Sequence, residues 1–176
     1  MALFLKTGFV GQLYFATINF ILLYLIYLSI FQKKYAQIKK WQIIVLYVIA
    51  ISSVVVRVFS VLHYMHLTES EAVLSLKRCF STHFFSFLVG RFSVMCYIFL
   101  NRTVLPMLTY SDALVFSAIA LTMNLSFLFY LITLFGTVFM LHWLWHHLVL
   151  RQRQLCFINT PLILISAVCT YALVLI

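Results

Sequence analysis

Residues 107–150 read MLTYSDALVFSAIALTMNLSFLFYLITLFGTVFMLHWLWHHLVL, a stretch of 44 residues without a Lys, Arg or Glu. One straight α-helix of this length would measure about 66 Å, whereas the hydrocarbon core of a bilayer is about 30 Å thick. We therefore expect two membrane-spanning helices to share the stretch. The break is expected at the polar residues 123–126, and the alternative position is Gly136-Thr137.

The composition of the whole chain is that of a membrane protein. Apolar residues make up 65% of the 176 positions, charged residues only 9%, and the mean hydropathy is +1.12. Soluble domains carry about 25% charged residues, so a soluble fold could not hide this much apolar surface. Four glycines and two prolines supply too little turn chemistry for a membrane β-barrel. We expect an all-α, polytopic membrane helix bundle that forms a single domain over residues 1–176.

The apolar runs predict about six transmembrane helices. Four of them are expected at residues 11–31, 41–64, 79–100 and 156–176, and residues 107–150 supply the other two. The most polar stretch, residues 65–78, is expected to connect the second and third spans. Five spans are the alternative, if residues 107–150 cross only once.

The basic residues indicate an orientation. The net charge is +9, and seven basic residues fall in the loops at residues 32–40, 101–106 and 151–155, which six spans place on one side. By the positive-inside rule both termini lie on the non-cytoplasmic or non-matrix side. These charges flank apolar runs, so we expect membrane anchors and no binding of nucleic acid. The pattern fits the mitochondrial inner membrane or the endoplasmic reticulum, and no cleavable signal is recognisable.

Two arginines fall inside apolar runs, where a charge costs about 2.5 to 3.5 kcal/mol on insertion scales. Arg57 lies near the end of its span and could reach the interface, whereas Arg91 lies near mid-span. We expect an ion pair with a carboxylate, Asp112 being the one placed to approach Arg91, or a contact with lipid phosphate. The alternative is that these arginines bind a substrate carboxylate or phosphate.

Six histidines are many for this length, and they occur at residues 63, 66, 83, 142, 146 and 147. Most lie near span ends beside Trp143 and Trp145, as expected for an interfacial aromatic belt. The alternative is a haem held between two histidines, with His63 and His142 as ligands. We expect no cofactor and no metal, because no HExxH or carboxylate-rich pattern accompanies the histidines.

Three short motifs resemble the TLC superfamily of ceramide synthases and translocating-chain-associated membrane proteins. Residues 141–151, LHWLWHHLVLR, are similar to the L-H-x-x-W-x-x-L-x-L-R ending of the last core helix of ceramide synthases. Residues 102–106, RTVLP, resemble the R-x-x-x-x-P turn shortened by one residue, and residues 61–64, VLHY, resemble a V-L-H helix start. The resemblance implies a bundle in a lipid or nascent-chain setting. The adjacent catalytic histidines of the acyltransferases have no counterpart in residues 39–44, and the Asp-rich continuation after V-L-H is missing.

These observations predict a non-enzymatic structural or accessory subunit of a membrane protein assembly. The first alternative is a lipid-binding or lipid-modifying TLC-type protein of the endoplasmic reticulum, and the second is a haem-bearing membrane electron carrier. The expected partners are the lipid bilayer, other transmembrane proteins and a bound phospholipid. The residues expected to bind lipid or a partner are Arg57, Arg91, Arg102, Asp112 and His142.

Overall fold

The computed structural model describes residues 8–35, 38–64, 69–104, 109–145, 148 and 159–175. Within these ranges the chain forms six helices and no strand, which confirms the all-α class. The helices are α1 (Gly8–Tyr35), α2 (Lys40–Tyr64), α3 (Glu69–Val104), α4 (Tyr110–Thr122), α5 (Leu125–Leu144) and α6 (Thr160–Leu175).

Four of these helices are long and apolar enough to cross a membrane, and the apolar helices fit an integral membrane protein. The four candidate spans are Phe15–Gln32, Lys40–Phe59, Glu71–Cys96 and Leu125–Leu144. Helices α4 and α6 are apolar but shorter, with 13 and 16 residues. At about 1.5 Å per residue α4 is only about 20 Å long, less than the hydrocarbon depth of a bilayer.

The expected break inside residues 107–150 is confirmed. Helix α4 ends at Thr122, α5 begins at Leu125, and Met123 has an extended backbone with φ −103° and ψ 151°. The alternative break is wrong, because Gly136 and Thr137 lie within α5. A helix tolerates one glycine at a cost of about 1 kcal/mol, so Gly136 alone does not interrupt the run.

The expected start of the third span is wrong. Helix α3 begins at Glu69 rather than near Cys79, so part of the polar stretch that was expected to be a connection is helical. Residues 69–78 contain no Gly or Pro and are rich in Glu, Ala, Leu, Lys and Arg, which are good helix formers. The resulting 36-residue helix is about 54 Å long, well beyond the thickness of the hydrocarbon core.

Five helices form a ring around α4. Helix α1 packs against α2 and α6, α3 packs against α2 and α5, and α5 packs against α6, so these five close a ring. Helix α4 packs inside the ring against α2, α3 and α6. Nine of its 13 residues are buried accordingly. Its contact with α5 includes the rings of Phe116 and Phe135, whose centroids are 5.2 Å apart.

Side-chain contacts fix the direction of the helices. Gln32, near the end of α1, meets Asp112 at the start of α4 and Thr160 at the start of α6. At the other end of α4, Thr122 bonds Tyr171 in the last part of α6. Helices α4 and α6 therefore run parallel to each other and antiparallel to α1. We name the end where α4 and α6 begin the basic end, because all seven basic residues of the loops at 32–40, 101–106 and 151–155 adjoin helix ends there in sequence.

Candidate functional site

The most elaborate polar site in the described part of the chain lies inside the bundle at the basic end. It consists of Gln32, Thr109, Asp112, Asn159 and Thr160, which we name the Asp112 cluster. The Asp112 side chain has 0% exposure, and so do Asn159 and Thr160. The cluster thus joins residues of α1, α4 and the start of α6, and its most distant bonded pair, Gln32 and Thr160, is 128 positions apart in sequence.

Both carboxylate oxygens of Asp112 accept hydrogen bonds. Oδ1 accepts from Gln32 Nε2 at 3.3 Å. Oδ2 accepts from Asn159 Nδ2 at 2.9 Å, from the Thr109 backbone N–H at 2.9 Å and from Thr109 Oγ1 at 2.8 Å. Four donors therefore surround this carboxylate. A buried carboxylate without such donors would lose several kcal/mol of solvation with little in return, so the donors offset the cost of burial.

The cluster also caps the N-terminal ends of two helices, α4 and α6. Thr109 and Asp112 form a capping box, in which each side chain bonds the other's backbone N–H at the start of α4. The Gln32 Oε1 atom accepts from the Thr160 backbone N–H at 3.1 Å, so it caps the start of α6. The positive ends of both helix dipoles point at this region and favour the negative charge of Asp112. The chemistry of the cluster is therefore that of caps on two helices, α4 and α6, to which α1 contributes Gln32.

A histidine from α3 caps the C-terminal end of α4. His83, on α3 and 1% exposed, donates from Nδ1 to the Leu121 carbonyl oxygen at 2.9 Å. Nδ1 is the donor because a carbonyl oxygen can only accept. The last carbonyls of a helix have no partner within the helix, and His83 satisfies one of them. His83 Nε2 and Ser86 Oγ have no hydrogen-bond partner among the described residues.

Arg91 does not meet Asp112, contrary to the sequence-based expectation. Its Nη2 donates to the Tyr110 hydroxyl at 3.1 Å, and both side chains are exposed. Asp112 lies only two residues further along α4 but points into the bundle, where its oxygens are occupied by the donors described above. Tyr110 is therefore the residue of α4 that approaches Arg91.

The remaining candidate residues are dispersed. Arg57 lies half-buried on α2, near Cys79 and His83 of α3. His142 is partly buried in the last turn of α5, close to the basic end. His63 occupies the last turn of α2, which starts at the basic end and finishes at the opposite one. The helix turns that carry His63 and His142, the two alternative haem ligands, thus lie at opposite ends of the bundle. Arg102 lies in the last turn of α3.

No protein-family model, no curated protein and no solved structure matches this chain. The TLC resemblance therefore stays a prediction. Part of the residues that carry it, including Pro106, His146 and Arg151, lie outside the described residues. Within the described ranges no group of three or more His, Cys, Asp or Glu residues could hold a metal ion.

Sequence reasoning missed most of the Asp112 cluster. The sequence predicts Gln32 only as the first residue of the loop after the first span, and Asn159 and Thr160 only as part of the last span. One signal was present: Thr109 and Asp112 are three residues apart before an apolar run, which is the spacing of a capping box. The contribution of α1 and α6 depends on long-range packing, which leaves no local pattern.

Proposed function

We propose that this chain is a non-enzymatic structural or accessory subunit of a membrane protein assembly. The observation that supports the proposal most directly is the state of Asp112. Intramembrane carboxylates are normally functional candidates, and one that carries protons or substrate must have access to them. The Asp112 carboxylate is fully buried and bonded by four donors, and these bonds hold helix ends together.

The outer surface of the ring supports the same proposal. Large aromatic side chains face outward on α1, α2, α3 and α5, and they include Phe20, Phe59, Phe80, Phe84, Phe92, Phe99 and Phe129, all more than half exposed. In a bilayer such a surface contacts acyl chains or the helices of other proteins. The chain would thus act on other molecules through its outer helix faces.

A lipid-binding protein of the TLC type is the second candidate. One observation favours it, namely the exposed guanidinium of Arg91 on the outside of α3. Lipid binding and assembly through outer faces are compatible, because the two can use different parts of the ring.

The test compares the chain in two settings. A tagged chain is extracted in mild detergent from its native membrane and from a host that lacks its partners, and the mass of each species is measured by light scattering. We expect a discrete heavier complex of fixed stoichiometry from the native membrane only, with cross-links formed in the intact membrane to the same partner. A protein–detergent monomer from both sources, without reproducible cross-links, would refute the subunit proposal.

A further inference from the structure

Arg91 carries a positive charge that no carboxylate in the described part of the chain neutralises. The chain has three acidic residues, Glu69, Glu71 and Asp112. The Asp112 oxygens are enclosed in the bundle and bonded by other donors. Glu71 lies on the same helix 20 residues before Arg91, which is about 30 Å along its axis, and Glu69 lies further away. A charged group in a membrane span needs a counter-charge, so the anion must come from another molecule.

The geometry around Arg91 shows where that anion would bind. Gly90, its neighbour, packs against Ala120 near the end of α4, whereas Tyr110 is the first residue of α4. Ten residues of α4, about 15 Å, separate these two levels. Because the Arg91 and Tyr110 side chains meet across this distance, the guanidinium extends from its backbone toward the basic end. This is the direction in which a lipid-exposed arginine reaches the headgroup region.

The hydrogen bonds leave donors available for an anion. The Tyr110 hydroxyl accepts from Arg91, so its own O–H hydrogen can donate to a further acceptor. Tyr47 lies on the inner side of the pair and bonds Ser117, whose hydroxyl donates to the Leu114 carbonyl oxygen at 3.0 Å. Tyr47 must therefore donate to Ser117, and it presents no hydrogen to an anion. Among the residues that the structure describes, no acceptor takes the remaining N–H groups of Arg91 or the O–H of Tyr110, so these are the donors for an anion.

We propose that Arg91 and Tyr110 bind the phosphate of an anionic phospholipid at the basic end of the bundle. A guanidinium matches two phosphate oxygens, and the tyrosine O–H can bond a third. The side chains around Arg91 on α3, Phe92, Met95 and Phe99, are exposed and apolar, as a surface that contacts acyl chains requires. Anionic lipids are enriched in the membrane leaflet that faces basic loops.

The test uses the isolated full-length chain in phosphatidylcholine nanodiscs that contain increasing amounts of phosphatidylglycerol, with bound lipid counted by native mass spectrometry. We expect the wild type to retain one phosphatidylglycerol. Arg91→Gln should weaken this binding about tenfold or more, as loss of a charge-assisted contact implies. Arg91→Lys and Tyr110→Phe should weaken it less. Arg78→Gln, an exposed arginine of the same helix, is the matched control and should bind as the wild type does.

Three results would overturn the proposal. The first is equal phosphatidylglycerol binding by the wild type and Arg91→Gln at equal thermal stability. The second is displacement of the lipid by inorganic phosphate at the same concentration, which would identify free phosphate as the ligand. In the third, Arg91→Gln keeps the lipid in nanodiscs but loses a protein cross-link in the native membrane, which would make a partner carboxylate the counter-charge. No partner is present in the nanodisc measurement, so its outcome is independent of the subunit proposal.

Discussion

Asp112 is the residue on which the interior of this bundle depends. Replacing it with Ala would leave the buried side-chain donors of Gln32 and Asn159 without their shared acceptor group. Each buried unsatisfied donor costs about 1 to 3 kcal/mol. We therefore expect Asp112→Ala to lower the free energy of unfolding by about 3 kcal/mol or more, measured by titration with sodium dodecyl sulfate in mixed micelles.

Asp112→Asn tests whether the charge or the shape of the side chain matters. The amide keeps one acceptor oxygen but turns an NH₂ group toward other donors. We therefore expect the free energy of unfolding of Asp112→Asn to lie between that of the wild type and that of Asp112→Ala. Glu71→Gln, an exposed acid-to-amide change on α3, is the control and should stay within about 1 kcal/mol of the wild type. A small effect of Asp112→Ala would mean that the cluster does not hold the helices together.

At the scale of the helix, the contact between α3 and α4 depends on the absence of a side chain at Gly90. A Cβ atom added there would lie 2.4 Å from Ala120 Cβ, which has no flexible atoms to move aside. Gly90→Ala should therefore force the two helices apart despite the better helix propensity of alanine. We expect a loss of about 1 to 3 kcal/mol in the free energy of unfolding, as for other overpacked cores.

The matched control for Gly90 is Gly136→Ala. Gly136 lies on α5 and lines a surface groove together with Thr133 and Met140. Its substitution should leave stability unchanged or raise it slightly, because alanine favours the helix. If both variants behave alike, the close approach of α3 and α4 is not what requires glycine at position 90.

The helices were more predictable from sequence than their arrangement. Long apolar runs predict α1, α2 and α5, and the polar residues Asn124 and Ser126 predict the break before α5, because these signals are local. The start of α3 is not predicted, because the polarity of residues 69–78 suggests a loop although Glu, Lys and Arg are good helix formers. The central position of α4 and the role of Gln32 depend on which helices meet, and composition does not encode this.

At the scale of the whole molecule, the alternating directions of the helices predict that both termini lie on one side of the membrane. Helix α1 leads toward the basic end and α6 leads away from it. Reporter tags at Met1 and Ile176 should therefore show the same accessibility in sealed vesicles, on the side opposite the seven loop cations. A tag inside residues 32–40 is the control and should show the opposite accessibility. Opposite accessibility of the two terminal tags would exclude the six-span arrangement.

The shared cap at Asp112 has a consequence for biosynthesis. Asn159 follows Asp112 by 47 residues, and Thr160 follows Gln32 by 128. A ribosome therefore delivers the carboxylate to the translocation machinery well before it makes the segment that supplies its last donors. Until α6 has been made, the Asp112 carboxylate has only the donors of Gln32 and Thr109, so its complete enclosure has to follow synthesis of the last helix.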